Sequence, residues 1–327
     1  MSGEIYELFE ALQPDDRKDF MAFVKAAYQA QGFSLRDLVA SKEDGGIKCP
    51  EGCNTDSKGI VKFGIRRAIQ YYRCKPCGKT FSGVTNTLWS YTKKDFHVWK
   101  RYINCMRDGY SLRKAAAACK IHRNTAFMWR HKILDALAQY QNSREPMTGI
   151  IEADDTYFRL SFKGSKWRTR KAPKPGLSKD NLACVSCAVD RNGQRYSKIS
   201  ACGKPKAEAL RKVYRNRLSK HAVVCTDKCT SYRKYGKNRS FTHIRLAGAM
   251  ARRGRYHSQN VNAYHSRLKR FMKKFLGVAT KYLNNYLVWF NLIIEGARTR
   301  IALLKLCIKA VTSSRWYDIG DRSAIPT

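Results

Sequence analysis

The sequence predicts an α/β protein with a mixed β-sheet, preceded by a small metal-binding module and a helical region. Two apolar, β-type runs each end in acidic residues, within 149–158 and 221–227. A hairpin signal and a helical segment lie between the two runs, and a further helix with an apolar stripe follows them. This order of elements is typical of a mixed sheet covered by helices.

The composition favours a nucleic acid as the partner of this protein. The chain has 327 residues, enough for two or more domains, and carries 64 Lys and Arg against 25 Asp and Glu, a formal net charge of +39. This excess is larger than solubility requires and indicates a polyanionic partner. An anionic membrane is the alternative, but basic and aromatic residues are interleaved throughout the chain and are not concentrated on one amphipathic helix.

Neither the apolar runs nor the N-terminus indicate a membrane partner. The longest apolar run, 286–294, is interrupted by Asn291 and is much shorter than the roughly 20 residues that span a bilayer. The N-terminus begins with Glu4, Glu7 and Glu10, unlike a basic and then apolar signal peptide. We therefore predict a cytoplasmic protein, in which 12 cysteines indicate metal binding or free thiols in preference to disulfides.

Four cysteines in two pairs predict a zinc ribbon over residues 46–84. Cys49 and Cys53 form the first pair, and Cys74 and Cys77 form the second. A β-prone stretch separates the pairs, and Gly and Pro stand beside them. Two such knuckles suit tetrahedral Zn²⁺, which stabilises a module too small to be held together by apolar burial. Four unrelated buried cysteines are the alternative.

Residues 92–140 are predicted to be helical, with the spacing of a helix-turn-helix. A short helix at 111–119 and a longer helix from Arg123 are separated by a turn. We predict DNA contacts from Arg123, Asn124 and Arg130, because the start of the second helix in such a motif commonly reaches base edges. An ordinary helical bundle would give the same pattern.

Acidic residues at two strand ends are candidate metal ligands. The first run ends in Asp154 and Asp155, and the second ends in Asp227. Mg²⁺ takes oxygen ligands, and a strand end is a rigid support for them. Because successive side chains on a strand point to opposite faces, only one of Asp154 and Asp155 can face such a site. The alternative is a polar turn after each strand, where Asp is common.

A helix at 260–271 supplies a third group of polar residues. At 3.6 residues per turn, Asn262, Ser266 and Lys269 fall on one face, with His265 close beside them. The two strand ends and this polar stripe are therefore candidates for one shared site. His265 is more typical of a packing residue than of a ligand, and it is a reserve candidate for an acid–base or DNA-contact role.

Three separated segments resemble the catalytic domain of bacterial insertion-sequence transposases of the RNase H-like DDE type, in the subgroup that carries Asn in place of the third acid. The segments are IEADDTYF, VVCTD and VNAYHSRLKRFMKKFLGVATKYLNNYLVWF. They occur in the family's order and cover roughly residues 149–292. The resemblance implies an RNase H-like, mixed-sheet catalytic domain over residues 147–295.

The resemblance also implies roles for four residues. Asp154, Asp227 and Asn262 would hold Mg²⁺ or Mn²⁺, and Lys269 would hold a phosphate near the cut. Water would first free a 3′-hydroxyl at the end of the element, and this hydroxyl would then attack a target strand in the same site. The neutral Asn262 is the departure from the commoner pattern of three acids.

Double-stranded DNA, as element ends and as target, is the partner that these features imply. A homodimer or higher oligomer on DNA, associated with the bacterial nucleoid, is expected. Arg252 and Arg253 precede the catalytic helix and are expected to grip phosphate. Residues 1–40 are predicted to form an N-terminal helical segment, and residues 296–327 a basic tail.

Two other classes of function remain open. In the first, the change to Asn262 has silenced the chemistry, and the protein is a zinc-containing DNA-binding regulator derived from a transposase. In the second, the same core belongs to an RNase H-like ribonuclease. Metal-dependent strand transfer separates the first class from a transposase, and preference between duplex DNA ends and RNA hybrids separates the second.

Overall fold

The chain divides into two compact units, with the division between Ile103 and Asn104 among the described residues. The computed structural model describes residues 47–53, 59–66, 69–85, 89–90, 92–163, 181–237, 240–247 and 252–294. The predicted N-terminal helical segment and basic tail lie outside these ranges.

A three-stranded antiparallel sheet forms the described core of the first unit. Its strands, in the order β1-β2-β3, are β1 (Ile60–Arg66), β2 (Ile69–Cys74) and β3 (Thr80–Ser82). Aromatic and β-branched residues favour these strands. The buried cluster beneath them is small and consists of Cys49, Tyr72, Cys74 and Phe81. So little apolar burial makes an additional cross-link valuable to this small sheet.

Three helices follow the small sheet. They are α1 (Phe96–Arg107), α2 (Leu112–Cys119) and α3 (Arg123–Ser143). The Ser111 hydroxyl accepts a hydrogen bond from the Lys114 N–H and caps α2, which ends where Lys120 adopts a left-handed φ of 50°. His122 Nδ1 accepts from the Asn124 N–H at 3.2 Å and caps α3. The short helix, turn and long helix are therefore present, whereas their use as a DNA-binding motif stays a prediction.

A five-stranded mixed sheet forms the centre of the second unit. Its strands are β4 (Ile150–Arg159), β5 (Leu182–Asp190), β6 (Arg195–Cys202), β7 (Val223–Asp227) and β8 (Thr242–Leu246). Their order is β6-β5-β4-β7-β8, and β4 pairs antiparallel with β5 but parallel with β7. The predicted hairpin turn at Asn192 and Gly193 joins β5 to β6, with Gly193 at a φ of 86° that favours glycine. The mixed sheet predicted from the sequence is confirmed.

Helices pack on both faces of this sheet. They are α4 (Ala207–Tyr214), α5 (Thr230–Gly236), α6 (Gln259–Lys273) and α7 (Thr280–Trp289), and α7 continues into a π-helical turn at Phe290–Ile294. Ile151 and Ala153 of β4 share a buried cluster with Tyr214 of α4 and Tyr232 of α5. Helix α6 contacts β4 and β5, where it meets the alternate side chains of β4. None of the helices in the described ranges is both long and apolar enough to cross a membrane.

Candidate functional site

Two neighbouring parallel strands bring Asp154 and Asp227 to the same level of the sheet. The pairing of β4 with β7 sets Ile150 opposite Val223 and Glu152 opposite Cys225. Continuing this register along both strands brings Asp154 level with Asp227. Side chains at the same level of parallel strands point to the same face, so the two carboxylates lie side by side.

Helix α6 brings a third oxygen donor to these carboxylates. Asn262 lies in the first turn of α6 and lines, together with Asp154 and Asp227, a cavity of about 440 Å³. Lys204 and Lys228 also line this cavity. Three polar positions that are far apart in the sequence therefore meet at one cavity, with two ammonium groups beside them.

Asp155 is directed away from the cavity. Its Oδ1 accepts hydrogen bonds from the Ser186 hydroxyl at 2.6 Å and from the Tyr232 hydroxyl at 2.9 Å. Tyr232 belongs to α5, on the sheet face opposite α6. The alternation along β4 thus assigns Asp154 to the cavity and Asp155 to the packing between sheet and helix.

The carboxyl groups of Asp154 and Asp155 are held in an environment that disfavours their ionised forms. Burial is the largest of the causes that raise the pKa of Asp154 to about 7. A backbone hydrogen bond at Asp155 lowers this pKa, and the charges of Asp155 and Asp227 raise it. Burial also raises the pKa of Asp155 to about 6. Neighbouring acids perturbed in this way are typical of functional sites, and a bound cation would favour their ionised forms.

The donor set fits a hard divalent cation. Asp154 stands in the middle of β4, so the prediction that this strand ends at its acidic residues is wrong, whereas Asp227 is the last residue of β7. Two carboxylates on these strands and a side-chain amide on α6 supply oxygen ligands, and Mg²⁺ and Mn²⁺ prefer such ligands. Asp154, Asp227 and Asn262 are the residues that would hold the ion. Soft metals would require sulfur or imidazole ligands instead.

His265 and Lys269 lie farther along α6. His265 is buried, and its Nδ1 is 3.9 Å from Asp154 Oδ2. Burial, together with the positive charge of Lys269, lowers the pKa of His265 to about 4, so the imidazole is neutral near pH 7 and forms no ion pair with Asp154. Lys269 is exposed, and the cavity lining among the described residues does not include it. Its predicted phosphate contact therefore requires DNA that extends beyond the cavity.

The four predicted zinc ligands form one cluster in the first unit. The Sγ atoms of Cys49, Cys53, Cys74 and Cys77 all lie within 4.8 Å of one another, and Sγ of Cys49 is 3.6 Å from Sγ of Cys77. Zn–S bonds of about 2.3 Å in a tetrahedron give sulfur separations of about 3.8 Å. Hydrogen bonds with the thiols of Cys77 and then Cys49 raise the pKa of Cys53 to about 12, because these bonds favour its protonated form. The cluster fits Zn²⁺.

Comparisons with known proteins agree on one class. Residues 146–291 match the model of the ISXO2-like transposase domain. An uncharacterized protein in transposable element ISH50 of Halobacterium salinarum is 23% identical over 258 residues, which cover 76% of this chain and 85% of that protein. These two matches support a transposase. The match to the transposase domain includes Asp154, Asp227 and Asn262.

Two solved structures show weaker likenesses. A chain in the cryo-EM structure of a simian T-cell lymphotropic virus intasome with PP2A regulatory subunit B56 gamma gives a TM-score of 0.29 at 12% identity, over 45% of this chain and 50% of that chain. A chain in the crystal structure of a pre-cleavage Mos1 transpososome gives 0.20 at 9% identity, over 66% of this chain and 79% of that chain. Scores this low do not establish a shared fold.

Four of the five predicted DNA-contacting residues are exposed. Arg123 and Asn124 lie at the exposed start of α3, and Arg252 and Arg253 are exposed just before α6. The Arg252 Nε donates to the Gly254 carbonyl at 2.8 Å, which leaves the rest of its guanidinium directed to solvent. All four positions are compatible with contact to a polyanion.

The prediction of a DNA contact at Arg130 is wrong. This side chain is 0% exposed. Its guanidinium lies over the Trp289 ring, 4.4 Å from the centroid, and its Nη2 donates to the Tyr110 carbonyl at 2.7 Å. Arg130 therefore stabilises the packing of α3 against the end of α7, through a cation–π contact and a buried hydrogen bond.

Replacing Arg130 with Ala is expected to lower the free energy of unfolding by about 1–3 kcal/mol, because it removes the cation–π contact with Trp289 and leaves the Tyr110 carbonyl without this donor. DNA affinity per folded molecule should not change. Arg123→Ala, on the exposed start of the same helix, is the matched control and should change stability by no more than about 0.5 kcal/mol. Thermal or urea unfolding measures both. A stable Arg130→Ala variant with weakened DNA binding would contradict the buried assignment.

Three residues with a place at the site were not singled out from the sequence. Lys204 and Lys228 line the cavity, and Glu152 is buried two residues before Asp154. Lys228 directly follows Asp227, and Glu152 lies two residues before Asp154 and so faces the same side of the strand. The sequence therefore contained an indication that both residues lie near the site. It contained none for Lys204, because the place of this residue depends on how the chain returns from β6 to α4.

Proposed function

We propose that this protein is a DNA transposase that binds the ends of an insertion sequence and catalyses metal-dependent strand cleavage and strand transfer. The observation that carries this proposal is the meeting of Asp154, Asp227 and Asn262 at one cavity within the segment that matches a transposase domain. The five-stranded mixed sheet, with helices on both faces, is compatible with an RNase H-like catalytic domain.

The residues around the cavity have distinct tasks. Asp154 and Asp227 hold divalent cations through carboxylate oxygens, and Asn262 offers its amide oxygen as a neutral ligand. Bound ions of this kind lower the pKa of an attacking water and stabilise the entering and leaving oxygens of phosphoryl transfer. Lys204 and Lys228 attract the phosphate into the cavity, and Lys269 holds the strand farther along α6.

Double-stranded DNA is the proposed partner, both as element ends and as target. The net charge of +39 provides a sequence-independent attraction to phosphate. The start of α3 reads sequence, while Arg252 and Arg253 hold the backbone. Two or more copies act together on the DNA, and the protein is cytoplasmic and associated with the nucleoid. The zinc-bound module contributes a further nucleic-acid contact.

The test is cleavage of duplex DNA taken from the sequence that flanks the protein's own gene. Purified protein should nick or cut this duplex with Mg²⁺ or Mn²⁺, join the freed end to a second duplex, and do neither with EDTA. A random duplex and an RNA–DNA hybrid of the same length are the controls. Specific binding without cleavage would indicate a catalytically silenced DNA-binding regulator. Preferential cleavage of the RNA–DNA hybrid would indicate a ribonuclease.

DNA affinity is expected to fall steeply with salt, by roughly 0.9 log units per log unit of salt for each phosphate contacted. Arg252→Ala and Arg253→Ala should weaken binding to all sequences and reduce the salt slope by about 1 each. Arg123→Ala and Asn124→Ala should instead weaken the preference for flanking DNA over random DNA. Fluorescence anisotropy on both duplexes measures these effects. Equal losses on both duplexes from both pairs would remove the sequence-reading role of α3.

A further inference from the structure

A buried carboxylate lies directly before the metal site on β4. Glu152 is 0% exposed and points to the same face of the strand as Asp154, two residues later. Its neighbours Ile151 and Ala153 point to the opposite, apolar face. An ionised carboxylate is strongly disfavoured in such a position unless several donors satisfy it.

The donors come mainly from the first turn of α6. Glu152 Oε2 accepts from the N–H of Asn260 at 2.7 Å and from the N–H of Val261 at 3.0 Å, and Oε1 accepts from Nδ2 of Asn260 at 2.9 Å. Ser258, the residue at the N-cap position of α6, makes no side-chain capping bond. Glu152 therefore caps α6 from strand β4, and its negative charge also complements the dipole at the start of this helix.

Arg191 joins the same carboxylate to the β5–β6 hairpin. Its Nη2 is 2.9 Å from Glu152 Oε1, and it also donates to the Arg255 carbonyl at 3.3 Å. The Arg255 carbonyl belongs to the segment that leads into α6. One carboxylate thus ties together β4, the hairpin and the start of α6, so that the first turn of this helix has a defined position on the sheet.

We propose that Glu152 is a positioning residue for the metal centre, which sets the place of Asn262 relative to Asp154 and Asp227. Asn262 directly follows Val261, whose N–H is bound to Glu152. Asp154 follows Glu152 on the same strand. The proposal rests on the proposed function in one respect, namely that Asp154, Asp227 and Asn262 hold the catalytic cations.

A neutral ligand increases the importance of such positioning. A carboxylate in the place of Asn262 would be drawn toward the cation by its charge, whereas an amide oxygen has only a dipole to offer. Mg²⁺ also demands near-ideal octahedral geometry. The amide must therefore be held in place before the ion binds, and the capping of α6 by Glu152 does this.

Replacing Glu152 with Gln tests the proposal, because Gln keeps the shape but loses the charge and one acceptor for the α6 N–H groups. We expect the affinity for Mn²⁺, used alone as the probe and followed by the electron paramagnetic resonance of free Mn²⁺, to weaken by about 10–100-fold. Asp154→Asn identifies the share of Mn²⁺ bound at this site. At saturating metal, the cleavage rate should recover toward that of the wild type.

Tyr264→Phe is the matched control. Tyr264 is buried on α6, and its hydroxyl bonds with Ser197 at 2.8 Å and with Asn291 at 2.6 Å, away from the first turn of the helix. This variant removes buried hydrogen bonds of α6 and should lower the unfolding temperature without shifting the Mn²⁺ affinity. It separates loss of stability from loss of positioning.

The outcomes distinguish the two proposals. Unchanged Mn²⁺ affinity in Glu152→Gln, or a loss no larger than that of Tyr264→Phe at equal stability, would overturn the positioning role. Wild-type protein that binds Mn²⁺ but cleaves no DNA would overturn the transposase activity alone, and the Mn²⁺ shift would still decide on Glu152. Equal Mn²⁺ binding by the wild type and the Asp154→Asn variant would overturn both proposals.

Discussion

Replacing Asp154 with Asn is expected to abolish metal-dependent DNA cleavage, with a rate loss of about a thousandfold or more. The change keeps the shape of the side chain but removes one of the two carboxylate charges at the cavity. Divalent ions bound there would supply several kcal/mol of transition-state stabilisation. Asp227→Asn should have the same effect. DNA affinity should be retained in both variants, because neither removes a positive charge. Cleavage assays and binding assays on the same samples measure the two properties.

Asp155→Asn is the control for this prediction. The oxygen of the new amide can still accept hydrogen bonds from Ser186 and Tyr232, which now bond with Oδ1 of Asp155. We expect cleavage within about tenfold of the wild type and a modest loss of stability. An inactive, folded Asp155→Asn variant beside an active Asp154→Asn variant would show that the assignment along β4 is wrong by one residue.

Variants of Asn262 probe the neutral ligand itself. Asn262→Ala removes the oxygen and should reduce cleavage severely without abolishing it, since both carboxylates remain. Asn262→Asp should retain cleavage and bind metal more tightly, because it adds a charge to the site. Cleavage as a function of Mg²⁺ concentration measures both. Full activity in Asn262→Ala would exclude this residue from the metal centre.

Four of the five strands of the mixed sheet were predictable because their signals are local, whereas β8 (Thr242–Leu246) was not predicted. An alternating or continuous apolar run identifies a strand, and the pair Asn192 and Gly193 identifies a hairpin turn wherever it falls between two such runs. The choice of Asp154 over Asp155 needed only the two-residue period of a strand and the family resemblance. The period is contained in a few neighbouring residues, and the resemblance in three short segments.

The features that were missed depend on contacts distant in the sequence. Glu152 stands in an apolar run, and its role emerges only when the start of α6 is seen to pack over it. Arg130 was assigned to DNA because it lies on the second helix of the predicted helix-turn-helix, yet it shares a helical stripe with Ala126 and Leu134, both buried. The periodicity of α3 therefore contained the correct answer for Arg130. It did not identify Trp289 as the partner.

The three-stranded sheet has little apolar burial of its own among the described residues. The buried cluster at this sheet consists of Cys49, Tyr72, Cys74 and Phe81, and two of these four residues are predicted zinc ligands. Structural Zn²⁺ contributes about 10–16 kcal/mol to the folding of comparable small modules. Much of the stability of this sheet is therefore expected to come from the metal.

Replacing Cys74 with Ser should release one equivalent of Zn²⁺ and unfold the three-stranded sheet. Cys74 is 0% exposed, and its backbone forms the turn that carries Cys77, with the Gly78 N–H donating to the Cys74 carbonyl at 2.8 Å. Metal analysis should find about one zinc per wild-type chain and none in the variant. Hydrogen exchange should lose protection over residues 59–85 and keep it in the five-stranded sheet.

Cys119→Ser is the matched control for the zinc prediction. Its Sγ is 4.0 Å from Sγ of Cys105, so these two buried thiols form a pair on helices α1 and α2. Neither belongs to the cluster of four predicted zinc ligands. Two sulfur ligands do not complete a tetrahedral site, so this variant should keep its zinc and its protection in the small sheet. Purified wild-type protein without zinc, or Cys74→Ser protein that keeps a full equivalent, would show that the four thiols are a packing cluster and not a metal site.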